Sequence, residues 1–157
     1  LDKNIDPTGK TAAIHIRNTD YLGSVFDWFD RKKYIDDSIA WMLKDHHDVD
    51  HIVVFSDDID LCKRQFGSTI SEKFSKVTYL DDNESPDAMA TLKDFLRLSL
   101  FKHKIIFNSS FSAFAAYVGN VLYPSSFDCV YAPAFDFQDR FSDRNNYLWN
   151  LVLQQPK

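Results

Sequence analysis

Five short runs rich in β-branched and aromatic residues recur along this chain, at 11–16, 51–55, 76–80, 104–107 and 127–131, with longer segments between them. That alternation constrains the fold more than any other feature. Antiparallel neighbours can be joined by two residues, whereas parallel strands need a crossover of a dozen or more, usually a helix. The spacers suit crossovers. Segment 31–44 sets Tyr34, Ile35, Ser38, Ile39, Met42 and Leu43 at helical spacing, and 58–66 opens on acids that suit a helix start. Segment 86–101 puts Met89, Leu92, Phe95, Leu96 and Leu100 on one face, 112–121 is an apolar helix, and 145–153 reads as a closing helix. The expectation is an α/β fold: a parallel sheet of about five strands with helices on both faces, joined by right-handed crossovers. At 157 residues the chain fits a single domain, 1–157.

Composition removes several classes of function. A net charge of −5 argues against a broad nucleic-acid-binding face, so local donors must meet any anionic ligand. There are four glycines and no G-x-G-x-x-G, so this is not a glycine-fingerprint dinucleotide domain. Gly9-Lys10-Thr11 resembles the end of a phosphate-binding loop, but Asn4 stands where the upstream glycine belongs and the triplet precedes its strand. No run of about 18 apolar residues is present, so no transmembrane helix is expected. Cys62 and Cys129 have no metal-site spacing and point to a reduced, intracellular setting, with a disulfide as the weaker alternative. His46, His47 and His51 fit a helix end and a strand start better than a zinc site. The chain starts without Met just ahead of its first strand, as a fragment of a larger protein would.

The chemistry gathers at strand ends. The first run leads into His15, Arg17 and Asp20 in a His-x-Arg-x-x-Asp cluster. In open α/β sheets ligands bind outside the carboxyl ends of strands. The planar fork of Arg17 can grip a phosphate or carboxylate with two parallel bonds; the plainer alternative is a buried His15 and a surface Arg17–Asp20 pair. The fourth run ends in Asn108, Ser109, Ser110, Phe111 and Ser112. Hydroxyls and free N–H groups at a helix start offer themselves to an anion, though the same residues serve as ordinary caps. Arginine and serines together would make a diphosphate clamp. The second run ends in Phe55-Ser56-Asp57-Asp58, where Asp58 fits an N-cap or a first-turn acid. Asp58-Ile59-Asp60 spells a D-x-D metal motif, but it sits in a helix start with no third acid nearby. A carboxylate here could instead accept bonds from a purine or a sugar hydroxyl.

Taken together, HIRNTDY at His15, FSDDIDLCK at Phe55, KDFLRLSLFKHKIIFNSSFS at Lys93 and YAP at Tyr131 resemble the α-1,2-fucosyltransferase family, glycosyltransferase family 11. More distantly they resemble the α-1,6- and protein O-fucosyltransferases. The motifs match in order over about 120 residues. The resemblance implies the Rossmann-like donor-binding lobe of a GT-B enzyme. It implies transfer of L-fucose from GDP-fucose to a glycan hydroxyl with inversion, with no metal and no cofactor beyond the donor. Its partners are a nucleotide sugar and a glycan acceptor. Its implied location is the cytoplasm, peripheral to a membrane, or the Golgi lumen in a eukaryote. By position, Arg17 binds the β-phosphate, His15 touches the nucleotide, and Asp94 reads the guanine N–H pair. Ser109, Ser110 and Phe111 cradle the diphosphate and nucleoside, Asn108 joins the donor site, and Asp20, Asp57 and Asp58 support it; the acceptor's base is Asp20 or a residue of the amino-terminal lobe. Many members carry Arg-Arg where this chain has Arg17-Asn18, and Trp-Trp where it has Ala113-Phe114. Val25 stands where the α-1,6 relatives carry a catalytic glutamate.

Two other classes compete with this one. A non-catalytic nucleotide-sugar-binding module would bind GDP-fucose without turnover. A phosphohydrolase using Asp57 and Asp58 would need a divalent metal.

Overall fold

A computed structural model describes residues 9–19, 22–23, 30–80, 88–122 and 129–132. Its elements in chain order are β1 (Thr11–Ile16), α1 (Arg31–Asp45), β2 (His51–Ser56), α2 (Ile59–Ser71), β3 (Lys76–Leu80), α3 (Ala88–Leu100), β4 (His103–Ile106), α4 (Ser110–Leu122) and β5 (Cys129–Tyr131). The strands form one sheet in the order β3-β2-β1-β4-β5, with every neighbouring pair parallel. This is the α/β, Rossmann-like sheet that the strand–helix alternation predicts.

Strand alternation assigns the faces. Ala12, Ile14, Ile16, Ile52, Val54, Ile105 and Phe107 pack with Ile35, Ile39 and Met42 of α1 and with Cys62, Phe66 and Ile70 of α2. On the other face Ala13, Val53 and Phe55 meet Leu98 and Phe101 at the end of α3 and Ala115 of α4. Ile106 packs there on Ala113 and Ala116. All six residues of β1 are buried, as the central strand of a doubly covered sheet requires. The order reverses direction at β1: β2 and β3 lie on one side, β4 and β5 on the other. The crevice beyond the carboxyl ends of β1 and β4 is therefore the switch point at which such sheets bind ligands.

Helix starts lie at the same edge. Asp30 caps α1 by accepting a bond from Lys33 N at 2.9 Å, and Asp58 caps α2 by accepting one from Leu61 N at 2.8 Å. The histidines flagged for metal lie elsewhere. His46 is the C-cap of α1, and His51 opens β2 with its ring nitrogens 3.3 Å from Thr11 Oγ1 and 2.9 Å from Thr78 Oγ1. Cys62 is a free buried thiol, and burial pushes its pKa up to about 12. No helix among the described residues is long and apolar enough to cross a membrane.

The structure corrects several expectations. Helix α2 runs on to Ser71, past Gly67, because Thr69 and Ile70 continue its buried stripe. Helix α4 starts at Ser110 rather than 112, since Ser109 O already accepts the Ala113 N–H at 3.0 Å. Of the apolar stripe on α3, Phe95 packs against the core, while Met89, Leu92 and Leu96 are 57%, 48% and 49% accessible. Leu98 and Ser99 face inward instead. The cause is a close approach of backbones. A Cβ on Gly119 of α4 would collide with Ser99 O and lie 3.1 Å from Ser99 C, so α4 sits directly on α3 at Ser99. Lys104, the buried charged residue of β4, lies alongside and donates to Phe101 O at the carboxyl end of α3. The helix expected at 145–153 and the start of the run at 127–131 lie outside the described residues.

Backbone cannot yield as a side-chain tip can, so Gly119→Ala must push the two helices apart. We expect a loss of about 1–3 kcal/mol, read as a lower midpoint in chemical denaturation. An unchanged midpoint would show that α3 and α4 do not meet at Gly119.

Candidate functional site

The register of β1 on β2 pairs Ile16 with Ser56, so the residues after each strand face one another. Arg17, Asn18 and Thr19 leave β1 opposite Asp57 and Asp58. The loop turns through backbone groups that the sheet no longer satisfies, and such groups need partners. Asp57 supplies them. Its carboxylate accepts from Asn18 N at 2.7 Å, from Thr19 N at 3.0 Å and from Thr19 Oγ1 at 2.5 Å. Arg17 Nε adds an ion pair at 3.4 Å. Burial pushes the Asp57 carboxyl up, but the bonds from Thr19 and Asn18 and the Arg17 charge outweigh it and leave the group below its usual range. Asp57 thus holds the segment that carries Arg17.

Asn18 is fully buried. Its Nδ2 donates to Ser56 Oγ at 3.0 Å and to Asp58 O at 3.3 Å. Its Oδ1 accepts from Arg31 Nη2 at 2.7 Å, and the same nitrogen donates to Arg17 O at 2.6 Å. Arg31 thus reaches this strand end from another element, the start of α1. Sequence reasoning passed over Asn18, Thr19 and Arg31. A usable signal was present: two polar strand ends in parallel register must satisfy each other.

The fourth strand brings in the serine-rich segment. Asn108, Ser109 and Ser112 are buried, and Ser110 is exposed. Ser112 Oγ lies 3.1 Å from Ser109 O and 3.3 Å from Phe107 O, which fastens the first turn of α4 to the end of β4. The amides of Ser110, Phe111 and Ser112 precede the first helical bond, so they form the amino-terminal donor set of α4.

Aromatic contacts join the two strand ends. The His15 ring centroid lies 5.1 Å from that of Phe111, and Phe111 meets Phe95 of α3 edge-on at 5.6 Å. His15 is 5% accessible, and its Nδ1 has no hydrogen-bond partner among the described residues. Burial lowers its pKa to about 4, with Asp57 pulling it up and Arg17 pushing it down. At neutral pH His15 is an uncharged imidazole with a spare ring nitrogen.

Of the residues singled out from sequence, His15, Arg17, Asp57, Asp58, Asn108, Ser109, Ser110 and Phe111 all lie just beyond, or at, the carboxyl ends of β1, β2 and β4. Asp58 caps α2. Asp94 lies on α3 next to Phe95, 29% accessible and 3.4 Å from Arg97 Nη1. Asp20, like Val25, lies outside the described residues. With Asp57 engaged by the loop and Asp58 by its cap, the pair is ill placed for the nucleophile and base of a phosphohydrolase.

The buried imidazole makes a pH prediction. The unfolded chain takes up the His15 proton below about pH 6.5, while the folded chain resists it down to about 4. Stability is therefore complete above pH 6.5 and falls as pH drops through that window. Between pH 7 and pH 5 this amounts to about 2 kcal/mol. The excess should vanish in His15→Gln. Denaturant melts at both pH values measure it, and an equal acid loss in the variant would show that His15 is not the group responsible.

Residues 3–140 match a family model described as glycosyl transferase family 11. No curated protein matches the chain.

Proposed function

This chain belongs to glycosyl transferase family 11, and from that premise we propose that its switch-point crevice holds the GDP-fucose donor of a fucosyltransferase. The observation that carries the reading is the 5.1 Å contact between His15 and Phe111, which sets the arginine-bearing strand end against the serine-rich helix start. An arginine and a row of helix amides then flank one crevice, as a diphosphate needs. The parallel, Rossmann-like sheet suits the donor-binding lobe of a GT-B enzyme.

In the proposed reaction an acceptor hydroxyl oxygen attacks the anomeric carbon of fucose from the face opposite the phosphate. The carbon–oxygen bond to the β-phosphate breaks and GDP leaves with the electron pair. The acceptor proton passes to a base, for which Asp20 is the candidate in this chain. Inversion follows from the single displacement. Negative charge grows on the β-phosphate as the bond breaks. Arg17 and the first-turn amides of α4 are fixed dipoles and charges aimed at that growth, and they need no reorganisation when it happens. Asp57 keeps the Arg17 segment in place. No divalent ion is assigned a role, so GDP affinity should be the same with and without magnesium.

Arg17→Lys keeps the charge and loses the fork. Removing one oxyanion-type donor costs about 2.7–4 kcal/mol of activation energy, so transfer should fall a hundredfold or more while the thermal midpoint stays put. Transfer within threefold of the parent would remove Arg17 from the clamp. GDP binding with no turnover by the parent protein would favour the non-catalytic module instead.

Asp94 is assigned to the base. Guanine presents N1–H and N2–H₂ side by side, and one carboxylate can accept both. Adenine places an acceptor where guanine has N1–H, so the carboxylate repels it. Sites built on such polar pairing discriminate strongly. The neighbouring Phe95 packs on Phe111, which puts this turn of α3 beside the start of α4. Parallel titrations with GDP and ADP should show the preference for GDP lost in Asp94→Ala. A variant that keeps the preference would return Asp94 to its pairing with Arg97.

A further inference from the structure

Arg31 opens α1, where a cation works against the helix dipole. Helix formation alone does not explain it there. Its guanidinium lies over two rings, with its central carbon 5.5 Å from the Phe66 centroid and 5.2 Å from that of Phe107. From that slot Nη2 donates to Arg17 O at 2.6 Å and to Asn18 Oδ1 at 2.7 Å. On the other side Asp57 accepts the Asn18 N–H at 2.7 Å. The peptide unit between Arg17 and Asn18 is therefore held at both ends, its carbonyl by a cation and its N–H by an anion.

We propose that Arg31 is the positioning residue of the diphosphate clamp. It sets the peptide plane at the point where the chain leaves β1, and so the place from which the Arg17 side chain reaches out. The inference rests on the reading of Arg17 as the β-phosphate ligand. The physical basis is the steep dependence of such contacts on placement: a shift of about 1 Å can cost a hundredfold. Asp57 alone restrains the donors of the loop and leaves its acceptors loose. Arg31 restrains the acceptors. Because Phe66 belongs to α2 and Phe107 follows β4, the slot ties three elements to the one loop. Lysine does not replace arginine here, since an ammonium lacks the planar group that lies over the two rings.

The test compares GDP with GMP, which lacks the β-phosphate. Both are titrated calorimetrically into the parent protein, Arg17→Lys, Arg31→Ala, Arg31→Lys and Lys33→Ala. Lys33 is an exposed residue paired with Asp37 and serves as the control. We expect the parent to prefer GDP at least tenfold, and Arg17→Lys and Lys33→Ala to lose and keep that preference respectively. Arg31→Ala should lose at least tenfold in GDP affinity while GMP affinity stays within threefold, and millimolar guanidinium should restore much of the loss by refilling the slot. Arg31→Lys should show the same selective loss, and it decides the matter alone if Arg31→Ala does not fold. A structural role would weaken both nucleotides together. Equal weakening, or an unchanged GDP-to-GMP ratio, overturns the assignment of Arg31. A parent protein with no preference for GDP overturns the reading of Arg17 itself, whatever Arg31 does.

Discussion

The carboxylate of Asp57 is the interaction on which the site depends. It sits one residue beyond β2, beside the central strand, and it gathers the backbone of Asn18 and Thr19 and the Nε of Arg17. Its charge would be costly there without those donors. With them it is stabilised, as its lowered pKa records. The arrangement also fixes a division of labour among the acids at this edge. Asp57 organises the loop, Asp58 caps α2, and neither is left as a free base. The polar chemistry available to a ligand is then dominated by donors, which suits an anion in a chain whose net charge is −5.

The architecture was legible because it rests on patterns that the chain states locally. Strands at 11–16 and 76–80 lie where β-branched runs place them, and the helix at 31–44 extends by a single residue to Asp45. Expectations failed where long-range packing overrode the local pattern. The apolar stripe of α3 did not show that Leu98 is buried while Met89, Leu92 and Leu96 are exposed; there Gly119 lets α4 approach the Ser99 backbone. No periodicity within α3 contains that information; it is written in a glycine twenty residues further on.

The candidate site was legible to the extent that polar groups crowd the carboxyl ends of strands. Arg17, Ser109 and Phe111 were found on that ground, and the topology places them at the switch point. What the sequence hid was the support. Asn18 reads as a surface turn residue, yet it is buried with both ends of its amide engaged. Arg31 reads as one more charge among the lysines of α1. Their roles depend on the register of β1 against β2 and on where α1 begins, both tertiary facts.

The burial of His15 shows how the two halves of the site depend on each other. An imidazole at that depth is tolerated only uncharged, and its ring is covered by Phe111 from the segment that also supplies the helix amides. Placing a neutral ring there, rather than a second cation, leaves Arg17 as the formal charge on its face of the strand end. A single guanidinium held by Asp57 below and steadied through its own carbonyl by Arg31 has one well-defined position. What this strand end offers is therefore one guanidinium fixed through Asp57 and through its own carbonyl, not a broad field of positive charge, in a chain whose net charge is −5.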